Sequence, residues 1–315
     1  MRYLITGGAG FIGSHLVDEL IKRNEKVLVY DNLSTGKELF ISHHFKNPKF
    51  KFVNADLFNI KKLKTSLKNI DFVFHLSAHA DVKKGYTDHN IDHIQNLEAT
   101  RVLLEQIYKS GVKRLAFSST SAVYGQPKII PTPETHPIVP TSLYGASKAA
   151  SEAYIHAFAS YYNLKATIFR FAPFIGERYT HGIIYDQTKK ILKNPKTLEI
   201  LTDGTPKRSS LYIKDGIQAI LLAIKKSTKE NVEFFNIGND KFLTIDQIVN
   251  VIIKTLNYKG TKKYLGGKKG WKGDNNYLLD STKIRSLGWS QRVSFEEGIK
   301  KTVEYLLKNE DLLNE

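Results

Sequence analysis

Thr6-Gly7-Gly8-Ala9-Gly10-Phe11-Ile12-Gly13 lies between an apolar run at 2–6, which reads as a strand, and a helical pattern over 11–23. Glycines between a strand and a helix have a specific use. Gly7 permits a tight turn, Gly10 lets backbone approach a pyrophosphate, and Gly13 allows the helix to pack closely on the strand. Phe11 and Ile12 open the helix, whose free N–H groups and dipole favour an anion. Further apolar runs at 26–30, 50–54, 71–76, 114–118 and 166–171 alternate with helical stretches at 59–68, 88–110 and 143–162. That alternation predicts βαβ units, a parallel sheet and right-handed crossovers. The expected fold is α/β: a Rossmann-type doubly wound parallel sheet with a smaller C-terminal α/β substrate-binding domain.

Asp31 ends the second predicted strand. An acid there accepts hydrogen bonds from an adenosine ribose 2′-OH and repels a 2′-phosphate, which favours NAD over NADP. Asn32, Ser34, Thr35 and Gly36 follow as a polar loop able to close over the ribose. Asp56 and Leu57, after the third strand, are placed to flank the adenine; Asp56 equally suits a cap for the next helix. Beyond about 172 the rhythm is less regular. Helices are expected at 182–194, 214–227, 244–256 and 294–308, strands near 198–201 and 233–237, and a loop over 258–277. The expected division is 1–172 for NAD binding, with later segments returning to it, and 173–315 mainly for substrate.

The 315 residues are 41% hydrophobic and 25% charged, ordinary for a folded chain. The absence of cysteine excludes disulfides, thiolate metal sites and cysteine nucleophiles, and no metal is implied. The apolar runs fall far short of the ~20 residues that span a bilayer, and nothing resembles a signal peptide, so a cytoplasmic protein is expected. The net charge of +16 comes from dispersed lysines rather than a stripe interleaved with aromatics. It reads as a lysine-rich surface that helps gather anions, with nucleic acid disfavoured.

Tyr144-Gly145-Ala146-Ser147-Lys148 falls within the predicted helix 143–162, and one turn puts the phenol and the ammonium on one face. A lysine there is expected to stabilise the phenolate, lowering a pKa that starts near 10, so that the tyrosine can take a proton from a hydroxyl. Upstream, Ser118-Ser119-Thr120-Ser121-Ala122-Val123-Tyr124-Gly125 brings a hydroxyl to a strand end, with Tyr124 expected to shape the pocket. With His75-Leu76-Ser77-Ala78, Tyr212-Ile213-Lys214-Asp215 and Leu287-Gly288-Trp289, these blocks run nearly end to end. Together they resemble the extended short-chain dehydrogenases, and within them the NAD-dependent nucleotide-sugar epimerases.

That resemblance implies a reaction. Tyr144 is the acid/base, Lys148 also holds the nicotinamide ribose, and Thr120 binds the reacting hydroxyl. Leu76, Ala78, Ser118 and Phe171 join the cofactor contacts. A sugar C4 hydroxyl loses its proton to tyrosinate and its hydride to NAD⁺, and hydride returns to the opposite face of the 4-keto sugar. The substrate implied is a UDP-glucose or UDP-galactose type of nucleotide sugar lying between the domains, and the assembly implied is a homodimer through helices near 90–110 and 143–162. Arg208 resembles the arginine that clamps the diphosphate, a task that suits a guanidinium fork.

The chain also departs from the pattern. Pro173 stands where an asparagine usually contacts the sugar nucleotide, and proline donates no hydrogen bond. Arg178 or His181 is the expected compensation. Lys269 replaces the second phosphate arginine, or belongs to a solvated loop, and Tyr277 is expected to limit sugar size. Ser121-Ala122 follows Thr120, where a 4,6-dehydratase carries Asp-Glu and a glucuronate decarboxylase usually has Glu. Alternatives left open are a UDP-N-acetylhexosamine 4-epimerase, a dehydratase, a decarboxylase, and a non-catalytic NAD- or RNA-binding relative.

Overall fold

The structure is a computed structural model that describes residues 1–81, 84–226, 230–266 and 278–313. In chain order it runs β1 (Arg2–Thr6), α1 (Phe11–Lys22), β2 (Lys26–Asp31), β3 (Phe50–Asn54), α2 (Ile60–Ser66), β4 (Phe72–His75), α3 (Ala99–Ser110), β5 (Arg114–Thr120), α4 (Leu143–Tyr162) and β6 (Lys165–Phe171). It continues with β7 (Phe174–Ile175), α5 (Ile183–Lys193), β8 (Thr197–Ile200), β9 (Lys207–Arg208), β10 (Leu211–Tyr212), α6 (Ile213–Lys226), β11 (Val232–Ile237), β12 (Leu243–Thr244), α7 (Ile245–Thr255), β13 (Thr261–Tyr264), α8 (Thr282–Ser286) and α9 (Phe295–Lys308).

Two units emerge. The first comprises Met1–Lys128, Glu134–Phe171 and Ile217–Ile237. Its centre is a seven-stranded parallel sheet in the order β11-β6-β5-β4-β1-β2-β3. Both faces are covered, so the inner strands are apolar on both sides rather than alternating. Leu4 and Ile5 pair with Leu28 and Val29 on one side and with Val73 and Phe74 on the other. Leu4, Ile5, Val29, Val73 and Phe74 have no exposed surface. Burying a side chain of this size contributes about 1.5–3 kcal/mol. Strand order reverses between β1 and β4, and in such sheets ligands bind outside the carboxyl ends at the reversal. The glycine turn follows β1 at that point.

The expectation of one helix over 88–110 needs correction. His93–Glu98 is a π-helical segment feeding α3. There the Thr100 hydroxyl donates to the Asn96 carbonyl at 2.6 Å, competing with the regular backbone ladder. The helix then stops at Gly111, whose φ of 77° supplies the left-handed turn.

The second unit comprises Ile129–Pro133, Ala172–Gly216 and Gly238–Glu315. Among its described residues β7 pairs with β10, β9 with β12 and β8 with β13. Helices α5, α7 and α9 pack on one another. A capping box starts α7, with the Thr244 hydroxyl accepting from Gln247 N and the Gln247 side chain accepting from Thr244 N. The expected loop at 258–277 is also corrected, because 261–264 is strand β13, parallel to β8 with Tyr264 opposite Ile200. Residues 267–277 lie outside the described residues.

Candidate active site

The glycine turn has no room for side chains. Gly7 sits at φ 70°, and a Cβ there would lie 2.6 Å from Ser77 N. A Cβ on Gly13 would lie 2.1 Å from the Gly7 carbonyl oxygen. Helix α1 starts with no side-chain cap and no acid in its first turn. Its N-terminus therefore offers backbone N–H groups and a positive dipole end to an anion.

Asp31 is buried and clasps the turn: Oδ2 accepts from Ala9 N and Oδ1 from Leu33 N, both at 2.9 Å. Burial pushes its pKa up, and the two backbone donors oppose that. A carboxylate has about four acceptor positions, so capacity remains for a ribose hydroxyl. The Asn32 amide donates to Asp56 at 2.8 Å and accepts from Ser34 N at 3.0 Å. Lys37 N donates to the Ala9 carbonyl at 3.0 Å, so the loop carrying Ser34, Thr35 and Gly36 returns to the glycine turn. These features fit a dinucleotide. Asp56 does not cap α2; Asn59 does, accepting from Lys62 N at 3.1 Å. Asp56 instead accepts from Phe58 N and the Asn32 amide. Leu57, Ser118 and Phe171 are buried, while Leu76 and Ala78 are half-buried beyond β4.

The end of β5 and the start of α4 bring Thr120, Tyr144 and Lys148 into one unit. Ser142 caps α4 by accepting from Gly145 N at 3.0 Å. The Thr120 side chain lies near enough to the Tyr144 phenol to favour its ionised form. Its pKa is nonetheless pushed up to about 12: burial dominates, Thr120 opposes it and the Asp92 charge adds to it. Lys148 is buried, its Nζ 4.1 Å from the centroid of Phe117, and burial pulls its pKa down to about 7 against the attraction of Glu152. The expectation that Lys148 lowers the Tyr144 pKa is therefore corrected. Desolvation drives both groups towards their neutral forms, and the group that favours the phenolate is Thr120. His75, fully enclosed between Thr6 and Thr100, is held neutral, its pKa brought down to about 3 by burial and by Lys148.

Beneath these residues lies a buried polar network. Glu152, one turn beyond Lys148, accepts from the Ser119 hydroxyl and from Arg170 Nε and Nη2, the last two at 3.1 and 2.8 Å. Arg170 Nη1 donates to the Tyr124 hydroxyl and the Glu134 carbonyl, and Tyr124 donates to Asn236 Oδ1 at 2.8 Å. Tyr124 is only 1% exposed and belongs to this network.

A second cluster went unnoticed in the sequence. The Asn96 amide donates to the Ser147 hydroxyl at 3.0 Å and to the His79 carbonyl, and Ser147 donates to the Tyr144 carbonyl at 2.8 Å. Asp92 Oδ1 meets His79 Nδ1 at 3.1 Å, while Oδ2 is buried without a hydrogen-bond partner among the described residues. Only Ser147, inside the Tyr-x-x-x-Lys stretch, offered a linear signal. Asp92→Asn keeps the shape and removes the charge that raises the Tyr144 pKa. The tyrosinate titration, read as an ultraviolet difference against Tyr144→Phe, is expected to move to lower pH; an unmoved titration would refute the electrostatic role.

The candidate substrate residues Arg178, His181 and Arg208 belong to the second unit. Arg178 is half-buried at φ 66°, and the exposed His181 ring lies 5.2 Å from that of Tyr179. Arg208 is on β9, with Nη1 donating to the Lys207 carbonyl at 2.7 Å. The Pro173 carbonyl accepts from Leu211 N at 2.9 Å. Glu177 accepts from Tyr212 and Lys214. Two of the sequence landmarks meet: Trp289 Nε1 donates to the Asp215 carbonyl, and the Asp215 carboxylate accepts from Arg292 N and Val293 N. Lys269 and Tyr277 lie outside the described residues.

A doubly wound parallel sheet, a glycine turn at its reversal, and a tyrosine and lysine one turn apart define a dinucleotide-binding protein of the short-chain dehydrogenase type. A profile of the NAD dependent epimerase/dehydratase family matches residues 3–238, and the chain belongs to that family, whose cofactor is NAD. It is 35% identical over 313 residues to a putative UDP-glucose 4-epimerase of Methanocaldococcus jannaschii, covering 97% of this chain and 98% of that one. The crystal structure of a Thermotoga maritima UDP-glucose 4-epimerase with UDP-glucose superposes with a TM-score of 0.88 at 37% identity, over 98% and 99% of the two chains. A Bacillus cereus UDP-glucuronic acid 4-epimerase, solved with UDP-glucuronic acid and NAD, gives a TM-score of 0.87 at 29% identity over 98% and 100%. Among the described residues, no helix is long and apolar enough to cross a membrane.

Proposed function

We propose that the chain is a nucleotide-sugar 4-epimerase acting on a UDP-hexose of the glucose/galactose type. The observation that carries this reading is the gathering of Tyr144 and buried Lys148, one turn apart at the start of α4, with Thr120 at the end of β5. Taking hydride from a carbinol carbon requires removal of its hydroxyl proton, and Tyr144 Oη is the group placed to hold that proton. Thr120 steadies the phenolate and the reacting hydroxyl. Lys148 holds the nicotinamide ribose, Asp31 the adenosine ribose, and the N-terminus of α1 the pyrophosphate. The bound NAD supplies a reversible hydride acceptor. Ser121-Ala122 offers no acid and base for water elimination, which separates this reading from a 4,6-dehydratase.

Arg208 is proposed for the diphosphate and Arg178 or His181 for contacts that Pro173 does not make. A homodimer through α3 and α4 is part of the proposal, supported by Tyr108, Tyr154 and Tyr161 standing 54%, 43% and 80% exposed on those helices.

The test is incubation with UDP-galactose, UDP-N-acetylgalactosamine and UDP-glucuronic acid in parallel, with products followed at the anomeric proton by NMR. Conversion of UDP-galactose to UDP-glucose supports the reading. Turnover confined to the acetylated or the acidic sugar reassigns the substrate, and release of carbon dioxide or formation of a 4-keto-6-deoxy product reassigns the reaction.

A further inference from the structure

A group of side chains away from the glycine turn and Tyr144 has the makings of a metal site. His43 and His44 lie in a one-turn 3-10 helix, Ser42–His44, that follows the loop after Asp31. Consecutive residues in such a helix point about 120° apart. Here both imidazoles instead converge on one atom: Asp18 Oδ1, on α1, is 2.9 Å from His43 Nε2 and 2.7 Å from His44 Nε2. Their ring centroids are 4.0 Å apart, and the two ring nitrogens and the carboxylate oxygen all lie within 4.8 Å of one another.

We propose that Asp18, His43 and His44 form a three-ligand site for a divalent transition-metal ion. Two imidazoles and one carboxylate are a donor set for zinc and its first-row neighbours, whereas magnesium and calcium prefer oxygen alone. Ligand atoms on a tetrahedral zinc at 2.0–2.1 Å stand roughly 3.3 Å from one another, so the two distances from Asp18 Oδ1 to the imidazole nitrogens need to open by about half an ångström. His44 is 13% exposed, Asp18 33% and His43 48%, an arrangement walled on one side and open to water on the other. Water or an added ligand completes the coordination on the open side. The position gives the ion a purpose. Residues 37–45 continue from the Asp31–Gly36 loop, which returns to the glycine turn through Lys37 N and Ala9 O. An ion shared by Asp18 and the two histidines would fasten that segment to α1, stabilising the fold by binding the native state alone.

The experiment uses tag-free protein freed of metal with EDTA. ZnCl₂ is titrated by calorimetry, thermal unfolding is followed with and without zinc, and CoCl₂ supplies a visible spectrum that reports coordination. His43→Ala/His44→Ala and Asp18→Asn are measured alongside, with circular dichroism confirming that each is folded. One zinc per chain is expected, raising the unfolding temperature by several degrees, with affinity weakened about tenfold or more in both variants. Equal zinc affinity in the native chain and the double histidine variant would overturn the site, as would the absence of any thermal shift. Binding that survives Asp18→Asn unchanged would overturn the three-ligand assignment.

Discussion

Tyr144→Phe is expected to lower turnover of the nucleotide sugar by about 10²–10⁴-fold, the usual worth of a positioned general acid/base. The substitution deletes only the phenolic oxygen. Thr120 loses the phenolic oxygen near it, and Lys148 keeps its place over Phe117. Cofactor contacts proposed for the glycine turn and Asp31 are untouched, so the variant should retain the native content of NAD, measured by absorbance after denaturation. That pairing of results distinguishes chemistry from folding. Loss of both activity and NAD would show that Tyr144 is needed to build the site, while retained activity would transfer the proton to another group. The raised phenol pKa gives the prediction its pH sense. Because burial holds Tyr144 as the neutral phenol, the native rate should climb as pH rises towards its titration, and the variant should lack that limb.

What could be read from the chain, and what could not, follows from the range of the interactions. The sheet was legible because inner strands covered on both faces carry apolar runs at their centres, as 3–5 and 115–117 do. The turn was legible because glycines at positions 7 and 13 answer a local steric demand. Asp92 was not legible. Its partner His79 lies on another segment, and the charge acts on Tyr144 through space. The network around Tyr124 was not legible, because its partners, Arg170 and Asn236, are brought to it only by the folded sheet. The pKa of Tyr144 was misjudged for a related reason: helical spacing announces a neighbouring lysine, but the desolvation that outweighs it is a property of the packed protein.

The second large effect concerns that hidden network. Arg170→Met is expected to destabilise the first unit by about 3–5 kcal/mol, the cost of stranding one member of a buried ion pair. Arg170 and Glu152 are 4% and 3% exposed, far from the screening that reduces surface pairs to under about 1 kcal/mol. Removing the guanidinium leaves the Glu152 carboxylate with the Ser119 hydroxyl and, one turn away, Lys148. It also strips a donor from both Tyr124 and the Glu134 carbonyl. The unfolding temperature should fall by something on the order of 10 °C. A double variant, Arg170→Met with Glu152→Leu, removes both charges together and should recover much of the loss, since apolar replacements of a whole buried pair are often tolerated. The site supplies a second reading of the same cycle. Glu152 is the charge that holds the Lys148 pKa up against burial, so Glu152→Gln should push the lysine titration below about 7 and weaken a cation-dependent hold on the cofactor at neutral pH. A single-variant cost of under about 1 kcal/mol, with no recovery in the double variant, would mean that the pair is no stronger than a surface bridge and that the network does not support α4 beneath Tyr144.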